Sequence, residues 1–316
     1  MWQVGLVYNM GDWLVPALLM IITASTPLVF AAVGEVVVEK SGVLNLGVEG
    51  MMIVGAISAF AVGVTTGSAT LAILSGAFGG VATALIFGFL TLNLLANQVA
   101  AGLALTIFGL GFSALLGHGF VGKTFPGLPK LEIPWISEIP FIGPLLFSHD
   151  VLVYGSVIVV VSITYVINKT RFGLLIRAVG DNHDAAHLIG YSVNKIRMAC
   201  ILFGGAMAGL GGAYLSLAYT PFWAEGMTSG RGWIALALVV FASWKAWRAF
   251  LGAYLFGGIT IIQLHTQGFG VDIAPEFLSM LPYLTTIVVL VLISRDSSQA
   301  KLSAPACLGK SFHASD

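Results

Sequence analysis

The chain has 316 residues, 58% of them hydrophobic and 9% charged, with a formal net charge of zero. A soluble domain carries roughly 25% charged residues, and one this apolar lacks the polar surface to face water. These values exclude an ordinary soluble protein and give no basis for bulk attraction to nucleic acid; they predict an all-α, polytopic membrane helical bundle.

Residues 1–13 contain no Lys or Arg, so they lack the charged region of a signal peptide, and the apolar run that follows is expected to stay in the mature chain. A spanning helix needs about 20 mostly apolar residues. Such runs occur at 14–34, 42–63, 69–92, 99–117, 150–168, 198–219, 232–243, 249–266 and 278–294, which predicts about nine spans within a range of eight to ten. They make one membrane domain over 1–294, followed by a polar tail, 295–316, expected to be disordered. Lys40, Lys169, Arg171, Arg177, Lys195, Arg197, Lys245, Arg248, Arg295, Lys301 and Lys310 fall on one side if nine helices alternate, which is eleven of the fourteen basic residues. Because basic loops stay cytoplasmic, this predicts the N-terminus outside and the C-terminus inside. Residues 118–149 are rich in Pro and Gly and are expected to form an outside loop with no long helix.

Two tempting motifs carry no chemistry. "HDAAH" (183–187) spaces two histidines like a metalloprotease helix but has Asp184 where the general-base Glu is needed, and no third ligand follows. "GKS" (309–311) lacks the earlier glycine of a phosphate-binding loop, so the chain has no nucleotide-hydrolysing motif of its own and is not expected to be an enzyme. His118, His149 and His265 are isolated from one another, which argues against an intramembrane active site. The two cysteines, Cys200 and Cys307, give neither a disulfide framework nor a zinc pattern, and no cofactor or metal is expected. Gly76/Gly80 and Gly205/Gly209 read as close-packing positions, and Trp223, Trp233, Trp244 and Trp247 as interfacial anchors.

Three polar segments stand out. In "GEVVVEKSGVLNLGVEGMMIVGA" (34–56), Glu49 lies about a third of the way into the second span, with Asn45 one turn before it on the same face. A carboxylate there marks either a solute path or a structural hydrogen bond to another helix. In "NLLANQVAAGLALT" (93–106), Asn97, Gln98 and Thr106 are candidates for the same path, while Asn93 reads as a surface amide. In "RFGLLIRAVGDNHDAAHLIGYSVNKIR" (171–197), Asp181 or Asn182 is a candidate N-cap, and Ala185, Ala186 and Leu188 give a small apolar face suited to a partner's groove.

These segments, with "ANQVAAGLALTIFGLGFSALLG" and "TSGRGWIALALVVFASW", resemble the permeases of the branched-chain amino acid, ribose and nucleoside type of ABC importer over about residues 12–294. The Pro-rich loop looks most like the shorter permease of nucleoside uptake systems. The resemblance implies a substrate path with Asn45 and Glu49 in the central signature. It also implies an ATPase-coupling loop containing Arg177, Ala178, Gly180, Asp181, Asn182, Ala185, Ala186 and Gly190. It further implies a separate ABC ATPase, a second and related permease, an extracytoplasmic substrate-binding protein and surrounding lipid, with no nucleic acid. The cargo it implies is a nucleoside; simple sugars, branched-chain amino acids and a flavin vitamin are alternatives, and an ion-gradient-driven transporter is the alternative of another class. Two departures stand out. "ASWKAWRAF" replaces the relatives' Gly-x-Trp-x-Pro, losing a proline bend and adding Lys245 and Arg248. Gln98 stands where many relatives have Glu.

Overall fold

The computed structural model describes residues 10–131 and 142–268, nine helical positions between 277 and 291, and residues 304–313. The expected span 278–294 lies largely outside the described residues, as does the 132–141 part of the Pro-rich loop. The described chain is a bundle of helices: α1 (Met10–Lys40), α2 (Val48–Thr66), α3 (Ala69–Gly88), α4 (Gln98–Gly117), α5 (Ile142–Phe147) and α6 (Val151–Lys169). It continues with α7 (Arg171–Asp181), α8 (His183–Leu188), α9 (Val193–Tyr214), α10 (Arg231–Phe241) and α11 (Ala246–Gly268). Seven of these segments are long and apolar enough to cross a membrane, and α10 is a shorter apolar helix.

Local chemistry sets several boundaries. Ser68, Asn97, Asp150, Thr170 and Asn182 each accept a backbone N–H with the side chain and so start α3, α4, α6, α7 and α8. Gly67, in the left-handed region at φ 70°, ends α2. Two boundaries depart from the hydropathy reading. The first helix runs on to Lys40, and residues 41–47 are not helical, so the second span begins at Val48 rather than 42. Segment 169–197, expected to hold one short helix capped at Asp181 or Asn182, has that helix as α8 with Asn182 as its cap, and carries a further helix, α7, before it. The reason is that hydropathy sees only transfer to lipid, whereas these ends are set by caps and tertiary contacts.

At the centre lie α2 and α9, whose most apolar windows are 72% and 67% buried. Glycines let α3, α2 and α9 approach closely. Gly80 sits against Gly205 and Gly209, Gly55 against Gly209, and Gly212 against the Met52 carbonyl. A methyl group on Gly80 would overlap the Gly205 carbonyl oxygen. Gly80→Ala is therefore expected to lower stability by about 2 kcal/mol in denaturant titration of the purified protein. Gly111→Ala meets open space and should gain up to about 1 kcal/mol from helix propensity. Equal shifts in the two variants would refute glycine-mediated packing.

Candidate functional site

Two polar assemblies sit at the ends of irregular segments. The first surrounds the 41–47 crossover. Glu49, in the first turn of α2, is 3% exposed. Its Oε1 accepts from Thr228 Oγ1 at 2.6 Å and from Gly230 N at 2.8 Å, and its Oε2 accepts from Gly232 N at 2.6 Å. The carboxylate thus caps α10 from another helix, while it also lies in the first turn of its own. Both helix dipoles favour a negative charge there. With 11 residues, α10 is about 16 Å long, half the thickness of a bilayer's hydrocarbon. It is a half-span whose buried N-terminus is satisfied by Glu49.

Asn45 is fully buried; its Oδ1 accepts from Gly47 N at 3.0 Å, and its Nδ2 donates to Glu35 Oε2 at 3.2 Å. Gln98 accepts from Leu44 N at 2.8 Å, and Thr106 donates to the Leu46 carbonyl at 3.1 Å. Asn45, Gln98 and Thr106 therefore come together at the crossover and bind its backbone to α1 and α4. Asn97 is exposed and stands apart as the cap of α4, accepting from Ala100 N at 3.0 Å. Glu39 accepts from Trp244 Nε1 at 2.5 Å. Trp244 and Trp223 are buried, which corrects their reading as interfacial anchors; Trp233 and Trp247 are exposed. Glu35 Oε1 and Gln98 Nε2 are buried and have no hydrogen-bond partner among the described residues.

The second assembly is the 170–192 loop. α7 runs along the end of the bundle, and Gly180 packs directly on the Lys40 carbonyl. Asn182 Oδ1 accepts from Ala185 N at 2.9 Å, and Gly190 turns the chain at φ 93°. Ala178 is half-buried and Ala186 is buried, so neither faces outward; Asp181, Asn182, Ala185 and Gly190 are exposed. The outward apolar tip is Leu188, Ile189 and Tyr191, which are 85%, 71% and 46% exposed. Of these, Ile189 and Tyr191 escaped the sequence reading. Their signal is an apolar pair immediately before a glycine turn, with an aromatic residue just after it.

Residues 304–313, within the tail expected to be disordered, brace this loop. Cys307 N donates to the Gly180 carbonyl at 2.9 Å and Gly309 N to the Gly42 carbonyl at 3.0 Å. Phe312 packs edge-on to His183 and His187, with ring centroids 5.3 and 5.2 Å away. Arg197, fully buried, donates to Ser41 O, Lys310 O and His183 Nδ1 at 3.1, 3.0 and 3.1 Å. The backbone partners are 127 and 267 positions apart, as 307 − 180 and 309 − 42, which no local pattern reveals.

Arginine only donates, so His183 Nδ1 is an acceptor and the ring is neutral, with its proton on Nε2, 3.6 Å from Asp184. Burial, and then the Arg197 charge, lower the His183 pKa from its ordinary 6.5; Lys310 acts the same way and Asp184 opposes them. A lowered pKa gives stability that is present above pH 6.5 and is lost as pH falls through the folded-state value. As pH falls below 6.5, the protection of the Cys307 and Gly309 amides from exchange, relative to the free-peptide rate at each pH, is expected to fall. Protection that stays constant down to pH 5 would contradict this assignment.

Beside the loop is a recess of about 440 Å³, lined by residues of α1, α6, α7 and the α10–α11 turn, among them Lys40, Arg177, Asp181 and Lys245. The turn forms without the proline of the relatives. Ser243 and Trp244 take left-handed φ of 49° and 55°, and Trp244 N donates to the Val239 carbonyl at 3.1 Å.

Taken together, the bundle of apolar helices, the short helix α10 capped by Glu49 and the braced 170–192 loop describe a multi-pass membrane protein. A family model described as "branched-chain amino acid transport system / permease component" matches residues 17–290, and the chain belongs to that family of ABC transporter permeases. It is similar to a provisionally named glucose ABC transporter permease of Haloferax volcanii, 36% identical over 92% of this chain and 95% of the relative. It is also similar to a nucleoside ABC transporter permease of Lactococcus lactis, 34% identical over 85% and 89%. A guanosine ABC transporter permease of Bacillus subtilis is 32% identical over 90% and 94%. No solved structure matches the chain.

Proposed function

We propose that this chain is one of two related permease subunits of an importer in a bacterial-type cytoplasmic membrane, that it carries nucleosides, and that it hydrolyses no ATP itself. A separate ABC ATPase grips the 170–192 loop, and an extracytoplasmic binding protein delivers the solute. The observation that carries this reading is the exposed Leu188, Ile189 and Tyr191 tip on a loop bolted to the bundle at Gly180 and Arg197. A partner shifts an inward–outward equilibrium only through contacts that differ between the two states, and a rigid lever with an apolar tip supplies them. Within it, Arg177, Gly180 and Ala186 set the lever's seat, while Asp181, Asn182, Ala185 and Gly190 shape the side that faces the partner.

Several observations support an N-terminus outside and a C-terminus inside. Lys40, Arg177, Lys245 and Lys310 gather at the end of the bundle that bears the loop, and the tail segment touches it. On this reading Asn45, Glu49, Gln98 and Thr106 act on the path by fixing the crossover, α4 and the α10 half-span that flank it. The nucleoside assignment follows the Lactococcus and Bacillus relatives, and the second reading, a neutral sugar, follows the Haloferax relative. Both cargoes are uncharged hydroxylated rings.

The test is uptake by proteoliposomes containing the chain, its partner permease, the ATPase and the binding protein. ATP-dependent accumulation of guanosine or uridine, without glucose, supports the proposal. Accumulation of glucose alone establishes the sugar reading. Uptake by this chain alone, without ATP, would replace both with a gradient-driven transporter.

A further inference from the structure

We propose that a second recess, between α1, α10 and α11, holds the solute, and that it selects nucleosides whose base is a 6-oxopurine. The inference rests on the nucleoside reading above. The recess has a volume of about 340 Å³, and its polar lining is Tyr219, Ser229, Arg231, Thr260 and Gln263. Small-molecule sites run from roughly 300 to 1,000 Å³.

The recess lies at membrane depth. Trp244 of the α10–α11 turn bonds to Glu39 near the end of α1, so these helix ends share one level. At a rise of about 1.5 Å per residue, Arg231 lies about 15 Å up α10 from that level. The lining residues Leu28 and Ala24 lie about 17 and 23 Å up α1, and Thr260 and Gln263 about 21 and 26 Å up α11. In a hydrocarbon layer about 30 Å thick, this is mid-depth and beyond, away from the 170–192 loop. An arginine there is costly unless it lines a cavity or finds partners.

Arg231 is the one charged residue of the lining, and it makes no ion pair among the described residues. Its Nη1 donates to the Met227 and Thr228 carbonyls at 3.2 and 3.3 Å, which uses both hydrogens of that nitrogen. The guanidinium carbon lies 5.4 Å from the centre of the Tyr219 ring. Glu49 fixes Thr228, Gly230 and Gly232 on either side, so the guanidinium is held in place. Its Nε and Nη2 edge remains, a fork of parallel donors with no acceptor among the described residues. Such a fork pairs with two adjacent acceptors, as O6 and N7 of a 6-oxopurine present them. Adenine sets an amino donor beside N7 and opposes the fork. Gln263 makes no hydrogen bond among the described residues and offers both a donor and an acceptor. Ser229 and Thr260 donate to the Gly226 and Phe256 carbonyls and keep acceptor lone pairs. These three groups suit ribose hydroxyls.

The assembled importer in proteoliposomes is given guanosine, adenosine and uridine in turn, with ATP. Wild type is expected to prefer guanosine by about tenfold or more. Arg231→Gln supplies one donor and one acceptor, the set that pairs with adenine, and is expected to reverse the preference between guanosine and adenosine. Gln263→Ala should raise the KM for both by about fivefold with kcat unchanged. Photolabelling of wild type with 8-azidoguanosine needs no variant; it is expected to mark peptides 219–234 or 257–263, and unlabelled guanosine should displace it. Nucleoside uptake with the label placed elsewhere overturns the site and leaves the nucleoside reading standing. So does an unchanged preference in an Arg231→Gln protein whose melting curve shows it folded. Equal uptake of guanosine and adenosine by wild type overturns the 6-oxopurine selection, and uptake of glucose without nucleosides overturns both readings.

Discussion

Glu49→Ala is expected to destabilise the protein by about 4 kcal/mol and to leave little folded material in the membrane. The carboxylate receives Thr228 Oγ1, Gly230 N and Gly232 N, and the alanine would strand all three donors inside the bundle. A buried donor left without an acceptor costs about 1–3 kcal/mol. Glu49→Gln keeps one carbonyl oxygen and should lose about half as much, because the second oxygen becomes a donor facing donors. Denaturant titration of the three purified proteins gives the ranking. A path carboxylate that binds solute predicts the opposite pattern, with Glu49→Gln as stable as wild type and impaired only in uptake. That pattern would show that capping is not the role of this residue.

Leu188→Glu is expected to weaken ATPase binding about 30-fold or more while leaving the permease's melting temperature unchanged. The side chain is 85% exposed, so its removal disturbs almost nothing within the chain. An apolar anchor at the centre of a docking surface contributes about 2 kcal/mol or more, and a carboxylate in its place must also be desolvated. Gly180→Leu is a different experiment. Its side chain would overlap the Lys40 carbonyl, so lost coupling there would report a misplaced α7 rather than a lost contact. Pull-down and titration of the ATPase against wild type and Leu188→Glu decide the matter, and unaltered affinity removes this helix tip from the interface.

The two sites were unequally legible in the sequence. Spans such as α3 and α4 follow from hydropathy, because transfer to lipid is a local property of some 20 residues. The loop was visible for the same reason: a basic, amphipathic stretch between apolar runs needs no tertiary knowledge. Glu49 was visible as an anomaly, and a structural hydrogen bond to another helix was one of its two readings; the partners themselves, 179 to 183 positions away, were not legible. Asn45, Gln98 and Thr106 likewise show their polarity in the sequence, while their shared partner, the non-helical 41–47 backbone, emerges only once α4 is packed against α2. Trp244 misled for a related reason. Aromatic residues near helix ends usually sit in the headgroup zone, but the left-handed turn at Ser243 and Trp244 directs this indole inward to Glu39. The polar composition of the tail suggested disorder because composition carries no record of Arg197 waiting beneath it.

The clasp between the 170–192 loop and residues 304–313 also imposes an order in time. Asp181 and Cys307, joined at its centre, are 126 positions apart. At a synthesis rate of about 5–20 residues per second, the loop leaves the ribosome roughly 6–25 s before the segment that braces it. During that interval Arg197 is without its Lys310 acceptor, and Gly180 and Gly42 have carbonyls still unmatched by the amides of Cys307 and Gly309. The loop therefore gains its brace only after α11 has been made.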